Sequence, residues 1–542
     1  MKTRYIFSGA LLALATIGCT DLDVDVKSIY TKYPTDSDIA IEARISDAYF
    51  AFRGALGRRY DEGISCNSDE YTAISFGGDY LNSRDMANFS LHSVDPDASR
   101  NQLDGPYGDL QQGITRCNQI LMDLGEEDVA VSAPVRAARA FYTFVLMDNW
   151  GDTPIIDYRL LGADGVVDRS PRADVARWIE AELLEVRDNC PTEVSTATYG
   201  RPTRWMVDAL LAKLYINWVV YTQDVTAPGW SSTASNEKLN DCVAACDDII
   251  QSGLFDLSDD YKKKFMYDNG PHIKDFIYAM PFDAVTQTGM TYSRFRTWRQ
   301  GQKDNGFYST PLASSVGGNM ALTPEFAALF CLPGDRRNDV IAGDANADTF
   351  DVYQYDAITG EKTGIRNLYK SEPVTFTKKI TLAKQDGDLD TGKDLNGWTQ
   401  GYKSIKFFPN VEEVNAHGRN QSNDIPIFRY ADILLMKCEA IVRGADATLG
   451  DTPQSLFNQI RSYVHAPAIT SAPSLQDILD ERGREFLDEH WRRNDLIRFG
   501  DFERSWGFKH LNPDAGALTN RLLPLGRGIL DLNTNWKQNA GY

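Results

Sequence analysis

Thr203-Arg-Trp-Met-Val-Asp-Ala-Leu-Leu-Ala-Lys-Leu-Tyr-Ile-Asn-Trp-Val-Val-Tyr221 is apolar around most of its circumference when wound as a helix, with Lys213 and Asn217 on one narrow polar edge. A helix of that kind is buried between neighbours rather than laid on a surface. The chain supplies such neighbours on both sides. Residues 36–54 set Ile41, Ile45, Ala48, Tyr49 and Phe52 on one face, and a second helix runs over 106–124. Residues 134–149 place Arg136, Arg139 and Thr143 in a polar stripe opposite Ala138, Phe141 and Val145, the pattern of an amphipathic helix. Ser170-Pro171 reads as a cap followed by proline in the first turn, and the helix behind it buries Val175, Ile179, Leu183 and Val186. Further helices are expected at 236–252, 429–443, 451–463 and 474–498. Pairs of this size approach the roughly 34-residue unit of a tetratricopeptide repeat, although no repeat consensus is present and an irregular bundle is the alternative.

Composition narrows the function. With 542 residues, 42% of them hydrophobic and 24% charged, the chain is globular material and long enough for a large core. Asp and Glu number 76 against 56 Lys and Arg, a net charge of −20 that repels phosphate backbones and argues against a nucleic-acid partner. The 25 Phe, 25 Tyr and 10 Trp exceed what a core needs, so some are expected on display. Six His and eight scattered Cys speak against a multi-metal enzyme or a disulfide scaffold. Cys242 and Cys246 have helical spacing but no second Cys/His pair nearby, and buried free thiols are the expectation.

The first residues read as a leader. Lys2 and Arg4 precede a short apolar run over 5–17, too short to span a bilayer, and Gly18-Cys19 follows where it ends. A small residue before cysteine is the arrangement of a bacterial lipobox, with Thr16 where Leu is usual; a plain signal peptide followed by an incidental Cys is the alternative. Acylation of Cys19 would hold the chain to a membrane at roughly 0.8 kcal/mol per buried methylene. Loss of Lys2 and Arg4 with the leader moves the net charge from −20 to −22. The expected division is a signal peptide over 1–18, an acidic tether over 19–35, an N-terminal helical scaffold over 36–253 and a loop-rich insert over 254–428. A C-terminal scaffold and tail over 429–542 complete one integrated unit. Within the insert, Gly, Asn, Asp, Thr and isolated aromatics dominate, with short strands expected at 276–280 and 374–376. Long loops inside a compact protein are usually functional.

Several blocks carry a family resemblance. Arg201 through Tyr215 is one. Asp424-Ile-Pro-Ile-Phe-Arg-Tyr-Ala-Asp-Ile-Leu-Leu-Met-Lys-Cys-Glu-Ala440 is a second, and Glu481-Arg482, Glu485-Phe486, Glu489, Arg492, Asp495-Leu496 and Arg498 form a third. Leu523-Pro524 and the ending Gln538-Asn-Ala-Gly-Tyr542 complete the set. In this order, behind a lipobox and an acidic leader, they resemble the SusD/RagB family of Bacteroidetes outer-membrane lipoproteins. Asp432 stands where the family has Glu, His490 where it has Gly, and Ala540 where it has Pro. The resemblance implies a mainly α fold: a tetratricopeptide-like helical scaffold carrying an irregular ligand-binding insert. It also implies a place at the cell surface in the outer membrane, held by lipid on Cys19. The implied partners are a glycan and a SusC-like TonB-dependent transporter to which it is delivered, with no catalysis and no cofactor. Peptide or another nutrient in the same architecture is one alternative, and a lipid-anchored glycoside hydrolase is another.

Sugars offer flat C–H faces to aromatic rings and hydroxyls to polar side chains. Two segments mix both: 66–89, with Asn67, Asp69, Tyr71, Phe76, Tyr80, Asn82, Arg84 and Asn88, and 292–308, with Tyr292, Arg296, Trp298, Arg299, Asn305, Phe307 and Tyr308. Trp298 between two arginines is the leading platform, and Trp398 between Asn396-Gly397 and Gln400-Gly401 is a further candidate. Two carboxylates, Glu485 and Glu489, lie one helical turn apart, as a glycosidase would require, but Arg482, Arg484, Arg492 and Arg493 around them point to ionised structural acids. Asp386, Asp388 and Asp390 hint at a calcium loop, yet Thr391 and Gly397 occupy positions where the EF-hand needs Gly and a bidentate Glu; a solvated acidic loop is the plainer reading. No phosphate-binding glycine loop or nucleophile elbow is found.

Overall fold

A computed structural model describes residues 37–76, 84–159, 166–296, 309–313, 318–369 and 371–542. The chain separates into Met1–Arg44, whose described residues open the first helix, and Ile45–Tyr542, which holds the rest. The helices that build the scaffold are α1 (Asp38–Tyr49), α2 (Arg59–Cys66), α3 (Arg100–Leu124), α4 (Val129–Trp150), α5 (Arg172–Val186), α6 (Arg204–Ile216) and α7 (Leu239–Ser252), with shorter helical turns between them. A five-residue helix α8 (Tyr292–Arg296) lies in the insert, followed by α9 (Tyr430–Val442), α10 (Pro453–Tyr463), α11 (Leu475–Glu485) and α12 (Arg492–Phe499). Several starts follow the expected capping chemistry. Asp128 accepts from Ala130 N, Thr203 from Met206 N, and Thr452 and Ser474 each form a reciprocal box with the residue three positions on. Ser474→Ala is expected to cost about 1 kcal/mol, seen as roughly fivefold faster amide exchange in the first turn of α11. Unchanged exchange would deny the box that role.

Ser170 does not cap α5. It pairs with Thr153 across a bridge, and Asp152 Oδ1 accepts from Arg172 N at 2.8 Å instead. The helix at 134–149 is not amphipathic in place either. From Ser132 to Trp150 every residue of α4 is buried, because its arginine stripe meets carboxylates rather than water. Arg136 pairs with Glu182 at 2.8 Å, and Arg139 with Glu182 at 2.8 Å and Asp157 at 3.1 Å. Among the described residues α4 is the one helix long and apolar enough to cross a membrane, and this burial makes it a core helix.

Each helix packs on the next, α3 on α4, α4 on α5, α5 on α6 and α6 on α7, and α7 then packs directly on α9, which packs on α10 and α11. The insert therefore interrupts the helical stack in sequence but not in space. Around Ala431, Leu434, Leu435 and Cys438 of α9, a core closes with Leu456, Phe457, Ile460, Ile478 and Phe486. The mainly α, tetratricopeptide-like reading is what the structure shows.

Short antiparallel pairs organise the insert and tie it to the early segment: β1 (Tyr71–Ala73), β2 (Phe276–Met280), β3 (Met320–Leu322), β4 (Ile341–Ala342), β5 (Lys403–Ser404) and β6 (Ile425–Arg429). β1 pairs with β3, β4 with β5, and β2 with β6, so that the insert leaves and returns through one two-stranded ribbon. The expected strand at 374–376 is found at Thr375–Thr377. The long helix expected over 474–498 is broken: Phe486–Trp491 separates α11 from α12, with Asp488 at φ 65° and His490 at φ 56°.

Candidate ligand-binding face

The two segments singled out in the sequence meet at their bases. β1 lies in register with β3, Tyr71 opposite Leu322, and α8 packs on β3. Beyond β1, Ser75 bridges to the acidic loop: Ser75 N donates to Leu389 O at 3.1 Å, and Thr391 N donates to Ser75 O at 3.0 Å. The early segment is thus tied both to β3, on which α8 packs, and to the acidic loop.

A clasp of polar groups pins these bases together. The Arg296 guanidinium sits 3.8 Å from the Tyr292 ring centroid and 5.6 Å from that of Tyr71. Its Nε reaches Asp488 Oδ1 at 2.8 Å, and its Nη2 pairs with Asp61. Asp488 also accepts from Tyr71 OH at 2.7 Å and Ser404 Oγ at 2.5 Å. Its left-handed backbone is what turns this carboxylate out of the helix line and into the clasp. Burial first, and then the Asp488 charge, push the Tyr71 hydroxyl well above the usual tyrosine range, so it stays a donor.

Beneath the clasp lies an ionic floor. Arg429 takes Glu489 in a two-pronged grip at 2.7 and 2.9 Å and reaches Glu485 at 2.8 Å and Asp275 at 2.6 Å. Lys264 also pairs with Asp275 at 2.7 Å, Lys406 with Glu489 at 2.5 Å, and Arg337 with Glu485 at 3.2 Å. Burial alone would raise Glu485, but Arg429 and Arg337 outweigh it and hold the carboxyl below its usual range. Burial likewise opposes the charge on Asp275, and Lys264 and Arg429 hold it down to about 2. The two glutamates are structural acids, as their surroundings implied, but with other partners. Arg482 serves Asp432 and Asp495, Arg484 serves Glu481, Arg492 grips Asp69, and Arg493 reaches Asn67. The helix break turns these side chains toward different elements.

Several ligand candidates are therefore relocated. Tyr71, Phe76, Tyr292 and Arg296 are each 5% exposed or less, and the first, third and fourth are committed to the clasp, so none is a displayed platform. Asn67 and Asp69, read as polar contacts, tie the early segment to α12 instead. Asn88 is half-buried. Tyr80, Asn82, Trp298, Arg299, Asn305, Phe307 and Tyr308 lie outside the described residues, as does Cys19. Trp398 closes a helical turn, Leu395–Trp398, capped by Asp394, and its side chain is outside the described set. In the acidic loop, Asp386 Oδ1 accepts from Asp388 N at 3.1 Å and Asp390 Oδ1 from Gly392 N at 2.8 Å. These carboxylates fold the loop's own turns, and among the described residues no group of three or more His, Cys, Asp or Glu is placed to hold a metal. Asp61, Asp488, Ser404 and Lys406 were not singled out in the sequence as site residues. Only the Glu481-to-Arg498 block hinted at the region, and within it only His490, at the family's Gly position, marked the left-handed turn.

The SusD family model matches residues 274–542. The chain is 26% identical to the starch-binding protein SusD of Bacteroides thetaiotaomicron, with all of both chains covered. SusD-like protein P2 of Formosa agariphila is 22% identical, over 99% of this chain and all of its own. Among solved structures, a laminarin-binding SusD-like protein superposes with a TM-score of 0.68 at 22% identity, covering 93% of this chain and 100% of that one. Surface glycan-binding protein A from Bacteroides thetaiotaomicron in complex with laminarihexaose gives a TM-score of 0.64 at 18% identity, covering 93% and 99%.

Proposed function

We propose that this chain, which belongs to the SusD family, captures an oligosaccharide at the cell surface and passes it unaltered to a SusC-like TonB-dependent transporter. The observation that carries this reading is the clasp: Arg296, Tyr71 and Asp488 fasten the bases of two aromatic-rich segments onto one rigid ionic floor. Preorganised bases let the loops above them bind without spending affinity on ordering. Glycan as the ligand is supported by the starch-binding and laminarin-binding relatives. A non-catalytic role is supported by Glu485 and Glu489, which are at most 2% exposed and held in ion pairs, out of reach of a substrate. Acylated Cys19 is the proposed anchor in the outer membrane, and Trp298 the proposed sugar platform.

Calorimetry against starch- and laminarin-derived oligosaccharides tests the reading, with chromatography of the mixtures for cleavage products. Saturable binding without products is expected. Trp298→Ala should weaken it by more than about 1 kcal/mol, roughly fivefold or more in affinity. Turnover of any of these glycans by the purified protein, or full affinity in the Trp298→Ala variant, would respectively overturn the binding role or this platform.

A further inference from the structure

Arg296, locked into the clasp, stands two residues before Trp298, and Phe307 and Tyr308 directly precede Ser309. The aromatic residues of the 297–308 segment are thus placed, in sequence, just inside its two ends. The entry is fastened by Arg296.

The exit has a fastener of its own. Ser309 N donates to Tyr355 O at 2.8 Å, and Ala357 N donates to Ser309 Oγ at 3.1 Å, which sets Ser309 beside the hairpin of Tyr353–Tyr355 and Lys362–Arg366. Just beyond, the Asn415 side chain grips the main chain twice. Ala313 N donates to Asn415 Oδ1 at 2.7 Å, and Asn415 Nδ2 donates to Pro311 O at 3.0 Å. One amide thereby uses both its acceptor and its donor on a single stretch of backbone, as a paired strand would. Between the gripped residues Leu312 is 3% exposed, whereas Ser309, Pro311 and Ala313 lie at the surface. The amide is itself held in place. It belongs to the short helix Val411–Ala416, whose Val411 and Val414 are buried. Asn410 Oδ1 caps that helix, accepting from Glu412 N at 3.0 Å and Glu413 N at 3.2 Å.

We propose that Asn415 is a positioning residue for ligand capture: it fixes the exit of the 297–308 segment as Arg296 fixes its entry, and so sets the contacts of Phe307 and Tyr308 with a bound saccharide. A segment fastened at both ends gives up less freedom on binding than one fastened at one end, and freedom lost on binding is subtracted from affinity. The saccharide rests on the glycan-binding reading above, whereas the double grip on Pro311 and Ala313 does not.

Calorimetry of the full chain with maltohexaose and laminarihexaose tests this. Asn415→Ala should weaken binding about fivefold while the urea midpoint of the chain hardly moves. Asn415→Asp, of the same size, turns an oxygen toward Pro311 O and should weaken it at least as much. Coupling then separates positioning from general loosening. In the Asn415→Ala background the effect of Tyr308→Ala should shrink, and that of Trp298→Ala, at the Arg296 end, should stay as it is in the parent. Parent-like affinity in both Asn415 variants overturns the proposal. So does a Tyr308→Ala effect that is absent, or that is the same with and without Asn415. Either result, with the parent still binding, leaves the glycan reading standing. A parent that binds neither hexaose removes the glycan reading and this proposal together.

Discussion

Replacing Arg429 with leucine should cost about 3–5 kcal/mol of stability and leave little folded protein. The guanidinium is 1% exposed and answers Glu489, Glu485 and Asp275, none of them more than 2% exposed. Removing one member of a buried ionic set strands the others without water or counter-charge, and that stranded charge is what makes the loss large. Lys264, Lys406 and Arg337 remain, but each is already committed to a carboxylate of the same floor. Arg429→Lys restores the charge without the planar fork, and it also loses the donor to Glu485 O at 3.0 Å. The lysine variant should therefore fold but remain clearly weaker than the parent. Urea denaturation followed by circular dichroism measures both. A leucine variant within about 1 kcal/mol of the parent would mean the floor is ornamental.

The second large effect is in pH. Burial, then Lys213 and Arg296, push His490 down to about 3, and its ring packs between Tyr60 and Trp491. The folded chain thus keeps this imidazole neutral through mild acid, while the unfolded chain protonates it near its ordinary value of 6.5. Between these values the unfolded state binds the extra proton, so stability falls as pH falls through that window. The slope is about 1.4 kcal/mol per pH unit for one proton. Asp424, raised to about 7 by burial, and Asp208, raised to about 6 by burial, act in the opposite sense. They cancel when the parent is compared with His490→Gln at each pH. The variant should gain about 2 kcal/mol on the parent between roughly pH 6 and 4.5. A difference that stays flat across that range would show that His490 does not titrate as described.

The same residue shows why part of the architecture was legible and part was not. Helices with strong apolar runs, such as α9 and α10, fall within a few residues of where periodicity placed them, because local chemistry decides them, whereas the helix expected over 203–221 breaks at Asn217 into Arg204–Ile216 and Trp218–Thr222. The break after Glu485 was hidden. Leu487 through Trp491 continue a helical pattern, and only the family's Gly at position 490 marked a backbone that bends into the left-handed region. His490 holds that conformation at a cost of about 1–2 kcal/mol. At the candidate site, residue type was legible but placement was not. Tyr71, Tyr292 and Arg296 are the aromatic-plus-arginine mixture that suits a sugar, but the same mixture makes a stable cation–aromatic joint. Composition cannot tell a surface from a seam. Partners more than two hundred residues away, such as Asp69 for Arg492 and Asp61 for Arg296, are settled by topology alone.

The ribbon of β2 and β6 has a consequence for how such a chain can change. The insert hangs from two strands that are zipped to each other, and helices α7 and α9 on either side of it in sequence touch directly. Lengthening a loop whose ends are fixed costs only about 0.6 kcal/mol per doubling. Its outer turns can therefore be rewritten, extended or grafted from a relative, while Lys264, Asp275, Arg337 and Lys406, which the same segment sends into the ionic floor, have to stay.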